Sequence, residues 1–223
     1  MKKVWKVALS LVIILMIGGG VAYAMGIDKD YFRYLELKNY TEDYTNPSEY
    51  NEGFVTYKSV NGEFSFDLPE NYFISPELHN STNYETLMAF YTNPKTKDVH
   101  SIDNFIKSKY TKLEKSELSL EIALEGTLYD HSYNNQYEKI TLEDKTIFKG
   151  ENHLKPEEED MSHDPSVNGP NHFFSLVVDN KTFQSVEIAY SFVCYSEDKG
   201  ECSKDVAEER KTFEKIIDSI SFK

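Results

Sequence analysis

Cysteine is almost missing from this 223-residue chain, where Cys194 and Cys202 are the only two. None follows the apolar run near the N-terminus, which excludes a lipid-modified N-terminus. The C-x-x-C spacing of a thiol–disulfide enzyme is absent. So are H-E-x-x-H, G-x-S-x-G, a P-loop and a G-x-G-x-x-G after a strand. The metalloprotease, serine-hydrolase and nucleotide-binding signatures are therefore lacking, and no cofactor is indicated. Positive charge is also scarce, with 24 Lys+Arg against 38 Asp+Glu and a net charge of −14. Such a surface repels nucleic-acid phosphates, whose binding needs neutralising cations, so no nucleic-acid partner is expected.

What is present begins with one long apolar segment, Val7 to Met25, preceded by Lys2, Lys3 and Lys6 and followed by Asp28 and Asp30. A basic start, an apolar core and the small-x-small exit Ala22-Tyr23-Ala24 are the parts of a secretory signal. The segment is also long enough to remain as a membrane-spanning helix, for which about 17–25 apolar residues suffice. Both readings keep the lysines cytoplasmic and export the chain from Gly26 onward. Residues 1–25 are thus a signal peptide or a transmembrane anchor. The preferred localisation is the cell membrane, single-pass with the C-terminal domain extracytoplasmic; the alternative is secretion after cleavage following Ala24. Three of the basic residues precede the segment, which leaves the exported part 21 against 38, a net −17.

In an oxidising compartment, Cys194 and Cys202 are expected to form a disulfide. Asp198-Lys199-Gly200 between them is a turn signal that folds the chain back on itself.

Residues 26–52 are polar but carry Tyr31, Tyr34, Tyr40, Tyr44 and Tyr50. They read as a tyrosine-rich spacer leaning on the membrane interface, or equally as an ordinary linker or an extra helix packed on the domain. The domain proper is assigned to 53–223. Phe54, Tyr57 and Val60 lead into the hairpin signal Asn61-Gly62. Phe64-Ser65-Phe66-Asp67-Leu68 then alternates as a half-buried strand ended by Pro69. Glu85 to Tyr91 and Val99 to Ile106 read as strands. Over Ser116 to Tyr133 the length and the poor β-propensity of Glu, Ala and Leu favour a helix, with Ser119 as N-cap. Two hairpins follow, around Glu143-Asp144-Lys145 and Asp179-Asn180-Lys181. A closing helix carries Val206, Phe213, Ile216, Ile217 and Ile220 on one face, with Ser203 as the candidate cap. This order predicts an α+β fold, an antiparallel β-sheet flanked by helices in an α/β/α sandwich.

Two stretches resemble a known family. Phe64-Ser65-Phe66-Asp67-Leu68-Pro69-Glu70-Asn71-Tyr72 looks like the early signature of PsbP-like domains. Phe213-Glu214-Lys215-Ile216-Ile217-Asp218-Ser219-Ile220-Ser221-Phe222 resembles their terminal helix and short closing strand. The family includes a photosystem extrinsic subunit and shares its fold with a Ran-binding import factor. The resemblance implies a three-layer fold and a binding role, and it supplies no catalytic residue to carry over.

An insert, residues 150–171, departs from that pattern. It holds His153 and His163, with His172 just after it, and the acids Glu157, Glu158, Glu159, Asp160 and Asp164. Imidazole and carboxylate together suit a divalent cation, but the spacing matches neither zinc nor calcium templates, and such a charge run is more often a solvated loop. Glu121 and Glu125 form a carboxylate pair of the kind acid–base chemistry uses. His79, His100 and His131 stand isolated in the sequence. No catalytic, cofactor or metal residue is therefore assigned. The expected function is an extracytoplasmic binding or structural module, membrane-anchored or secreted, with a cell-envelope or membrane protein as partner. The alternatives are an exported hydrolase of envelope glycan or peptide and a metal-binding sensor.

Overall fold

The structure, a computed structural model, describes residues 29–77, 79–93, 95, 99–131, 136–153, 170–192 and 205–223. The Val7–Met25 segment, both cysteines, Ser203 and most of the acidic insert lie outside the described residues. Among the described residues no helix is long and apolar enough to cross a membrane.

The chain opens with helix α1 (Lys29–Tyr44) and strand β1 (Thr45–Pro47), then the hairpin β2 (Phe54–Lys58) and β3 (Phe64–Pro69). Strands β4 (Tyr72–Ile74), β5 (His79–Ser81), β6 (Tyr84–Thr92) and β7 (Val99–Lys112) follow. Helix α2 (Glu117–His131) precedes β8 (Glu138–Thr141), β9 (Lys145–Asn152), β10 (His172–Asp179) and β11 (Gln184–Ser191). Helix α3 (Val206–Asp218) and β12 (Ser221–Phe222) close the chain. A small antiparallel sheet runs β1-β2-β3-β12, and a large one runs β4-β6-β7-β11-β10-β9-β8 with β5 beside β6. The expected α+β class, with antiparallel strands and flanking helices, is what the chain adopts.

Side-chain alternation on β10 and β11 defines the layers. Phe173 and Val177 of β10, with Val186, Ile188 and Tyr190 of β11, point into the main core beside Phe213, Ile216 and Ile217 of α3. Phe64 of the small sheet closes that core, stacking on Tyr110 of the large one at 5.0 Å and 7°. Leu176 and Val178 point the other way, onto Leu120, Ala123 and Leu124 of α2. The two helices therefore lie on opposite faces of the large sheet.

The hairpin turn behaves as Asn61-Gly62 demands, with Gly62 at φ +74°, where a side chain would be strained. The buried Glu85 of β6 pins it, accepting from the Tyr57 hydroxyl at 2.6 Å and from the backbone N–H groups of Val60 and Asn61. Burial, and then that hydrogen bond, push the Tyr57 phenol far above its ordinary pKa.

Several sequence expectations shift in detail. Residues 29–47 pack on the domain: Tyr34 and Leu37 bury against Phe73, and Thr41 Oγ1 accepts from the Ile74 N–H. Of the readings of segment 26–52, its described part thus shows the packed helix, because Tyr34 buries against Phe73 and Tyr40 and Tyr44 pack on the main core, while Tyr50 stays exposed. Asn46 and Pro47 pair with Thr56 and Val55 of β2. The cap of α2 is Ser116, whose Oγ accepts from Ser119 N–H at 3.1 Å; Ser119 already lies inside the first turn. The cap of α3 is Asp205, which accepts from the N–H groups of Ala207 and Glu208. Gly150 to Asn152, assigned to the insert, complete β9 in register with β10.

Candidate functional site

Antiparallel register places chosen residues side by side on the sheet face that α2 covers. His172 of β10 stands opposite Ser191 of β11, and Glu187 lies two same-face rows along, opposite Leu176 and Lys109. Helix α2 adds Thr127 and His131, one turn apart, at its C-terminal end. These residues form a continuous buried string. Ser191 Oγ and His172 Nδ1 are 2.6 Å apart, and His172 Nε2 lies 3.1 Å from His131 Nδ1. His131 Nε2 lies 3.2 Å from Glu187 Oε1, and Thr127 Oγ1 donates to Glu187 Oε2 at 2.8 Å. Asn152 Nδ2 donates to the His131 carbonyl, which ties the helix end to β9.

With both imidazoles neutral, one direction satisfies every group. Ser191 O–H donates to His172, His172 Nε2–H to His131, and His131 Nε2–H to the Glu187 carboxylate. The electrostatics agree with that direction. Burial, with the neighbouring His131, pushes His172 down to about 3, so it is neutral across the ordinary pH range. Burial by itself raises the Glu187 carboxyl. The hydrogen bonds from His131 and Thr127, together with the Lys109 ammonium, outweigh this and hold it below the usual range. Lys109 Nζ stands 4.0 Å from Glu187.

A serine beside an imidazole backed by a carboxylate has the components of an activated nucleophile. Here it lacks access: Ser191 is 5 % exposed and His172 3 %. The string reaches the outside at Glu187 and Lys109, which line a groove of about 490 Å³ between α2 and β7. Leu113, Ile122, Ala123 and Leu176 form its apolar walls. Alongside runs an unusual helix surface. Leu118, Ile122 and Tyr129 on the outer side of α2 are 65 %, 61 % and 90 % exposed, while Leu120, Ala123 and Leu124 pack inward. A helix that is apolar on both sides has a face to spare for another surface.

The sequence candidates distribute unevenly over this geometry. His131 is not isolated, since α2 carries it onto His172 from 41 positions away. His172 is a buried strand residue whose ring nitrogens face Ser191 and His131, whereas His153 is exposed. His79 is exposed on β5 and His100 lies in β7. Glu121 and Glu125 are both exposed on α2. Among the described residues no three His, Cys, Asp or Glu side chains converge as metal ligands. Ser191, Glu187 and Thr127 carried no motif. Only the alternation of β11 hinted that Glu187 and Ser191 share a face.

No curated protein matches this chain. Among solved structures, the cyanobacterial PsbP (CyanoP) from Synechocystis sp. PCC 6803 is similar at 7% sequence identity, with a TM-score of 0.46, over 79% of this chain and 96% of that one. The PsbP-like resemblance of the two motifs is borne out, because a family model that joins YvcA with Mog1p extends over residues 38–221. The chain belongs to the family described as "Putative lipoprotein YvcA".

Proposed function

We propose that this protein is an extracytoplasmic, membrane-attached binding module whose contact surface for an envelope protein is the outer side of α2 and the groove beside it. The observation that carries the reading is the exposed apolar row Leu118, Ile122 and Tyr129 on a helix already buried on its other side. Family membership supports the compartment, as does the Lys-flanked apolar segment. The only cysteines are at 194 and 202, so attachment runs through Val7–Met25 itself and not through an N-terminal lipid. N-terminal sequencing of the membrane fraction tests this part: the lysine-bearing start sustains anchoring, and Met25 as first residue shows release.

Binding is tested with a photo-crosslinking residue at position 129 of the full chain in its own membranes. A discrete adduct that disappears with Ile122→Asp, at unchanged circular dichroism, supports the module. The absence of any adduct, or one indifferent to Ile122→Asp, counts against it.

One contact favours the second reading, an exported hydrolase of envelope glycan or peptide: Ser191 beside His172. A fluorophosphonate that labels Ser191 in the native protein would sustain that reading. The burial of both residues speaks for the binder. A metal sensor built on the insert would show a thermal shift with zinc, calcium or manganese.

A further inference from the structure

The partner's chemistry can be read from the strands next to the groove, granted the binding-module reading. Antiparallel register carries the α2-side face of the large sheet across β7 and β6. Phe105 stands opposite Phe90, Lys107 opposite Met88 and Lys109 opposite Thr86. Side-chain alternation puts these six on the same face as Glu187 and Ser191, and Phe73, on which α1 packs, adjoins them opposite Phe90. Met88, Phe90 and Phe105 are half-buried, yet among the described residues they join none of the three apolar clusters.

Two cations stand among them. Lys107 and Lys109 are two residues apart on one strand, so their stems rise from the same face about 7 Å apart. Lys107 makes no ion pair among the described residues. Lys109 reaches only Glu187, at 4.0 Å, and that carboxylate already accepts from His131 and Thr127. Lys112 lines the adjoining groove, where Glu114 and Glu187 are the opposing charges. This basic, apolar strip lies on an exported part whose net charge is −17. An anionic bilayer would meet the whole acidic surface and be repelled, whereas a peptide segment meets only the strip and the adjoining side of α2.

We infer that the strip on β6 and β7 receives an acidic, amphipathic segment of an envelope protein. Two carboxylates of that segment, one helical turn apart, fit the spacing of Lys107 and Lys109, because side chains at i and i+4 lie about 6 Å apart. Its apolar residues cover Met88, Phe90 and Phe105 and continue onto Ile122. The proposal adds the sign of the partner's charge to the site of the binding module.

The same crosslinked adduct from position 129 tests it in charge variants of the full chain. Lys107→Glu should reduce the adduct about tenfold and Lys107→Arg should keep it, since like charges at an interface disfavour binding. Mass spectrometry of the adduct should locate a segment with at least two carboxylates beside apolar residues. Lys107→Gln, with circular dichroism, guards against a folding defect and should give an intermediate loss. An adduct undiminished by Lys107→Glu, a neutral or basic segment, or a crosslinked lipid overturns the inference. An adduct sensitive to Ile122→Asp but indifferent to Lys107→Glu removes the acidic segment and leaves the binding module standing. If no adduct forms, both fall.

Discussion

His131 and His172 meet through one nitrogen of each ring, Nδ1 to Nε2 at 3.1 Å, with the ring centroids 5.1 Å apart. The free nitrogen of His172 faces Ser191 and that of His131 faces Glu187. The pair therefore links the end of α2 to β10 and β11 by side chains alone. A buried polar string of this kind stabilises when every member is satisfied and destabilises when one is charged without a partner.

That property gives a pH dependence. The folded-state pKa of His172, about 3, lies below its ordinary 6.5, so the unfolded chain binds a proton that the folded chain refuses. The contribution is fully present above about pH 6.5 and is lost as pH falls toward 3, amounting to about 1 kcal/mol already at pH 5.5. Urea midpoints at pH 7.5 and 5.5 should separate accordingly, and the separation should shrink in His172→Asn. An equal separation in both proteins would exclude His172 as the source.

Gly150 is held by space and not by its backbone angle. A Cβ there would overlap Phe174 Cζ and lie 2.9 Å from the Gln136 carbonyl oxygen, and that backbone atom cannot swing aside. Gly150→Ala should lower stability by about 1–3 kcal/mol, read as a fall in the thermal midpoint. Gly126→Ala is the control, because a Cβ there meets nothing within 4 Å and the residue lies within α2. A Gly150→Ala midpoint equal to wild type would show that the strand relaxes.

Lys145 closes α3 from a neighbouring strand. Its Nζ donates to the carbonyls of Asp218 at 2.9 Å and Ile220 at 3.1 Å, and burial lowers its pKa against the pull of Asp144 and Asp218. Lys145→Met should cost about 1–3 kcal/mol by leaving those carbonyls without a donor at the negative end of the helix dipole. Lys211→Met, which removes an exposed i,i+3 ion pair, should leave the denaturation midpoint in place.

Cys194 and Cys202 are proposed to be joined. Exported protein, denatured and titrated for thiols with and without reductant, should differ by two per chain, and equal counts would remove the bond. In the chain-entropy account, closing so short a loop contributes about 2–3 kcal/mol, so Cys194→Ser should also lower the urea midpoint.

Most elements were legible where local chemistry and burial agree. The Phe64–Pro69 alternation, the Asn-Gly turn, the two later hairpins and the apolar face of α3 all form as their residues require. Capping residues were misread by two or three positions, since Ser and Asp both cap well and several stand near each helix start. Segment 26–52 was ambiguous because its tyrosines suit a membrane interface and a packed helix alike, and only the position of Phe73 distinguishes them. The buried string left no mark on the sequence. His131, His172 and Glu187 belong to three elements, and neither charge nor spacing along the chain links them.

By itself the sequence determined the acidic composition, the α+β class and the strand faces, because these follow from residue content and side-chain period. The tertiary structure alone decided that α2 spends one face on the sheet and keeps an apolar one outside, that Ser191 and His172 are sealed against His131 of that helix, and that Lys109 stands by Glu187 at the groove. Each depends on which elements pack together, and that is a property of long-range register and layer order, to which local periodicity is blind.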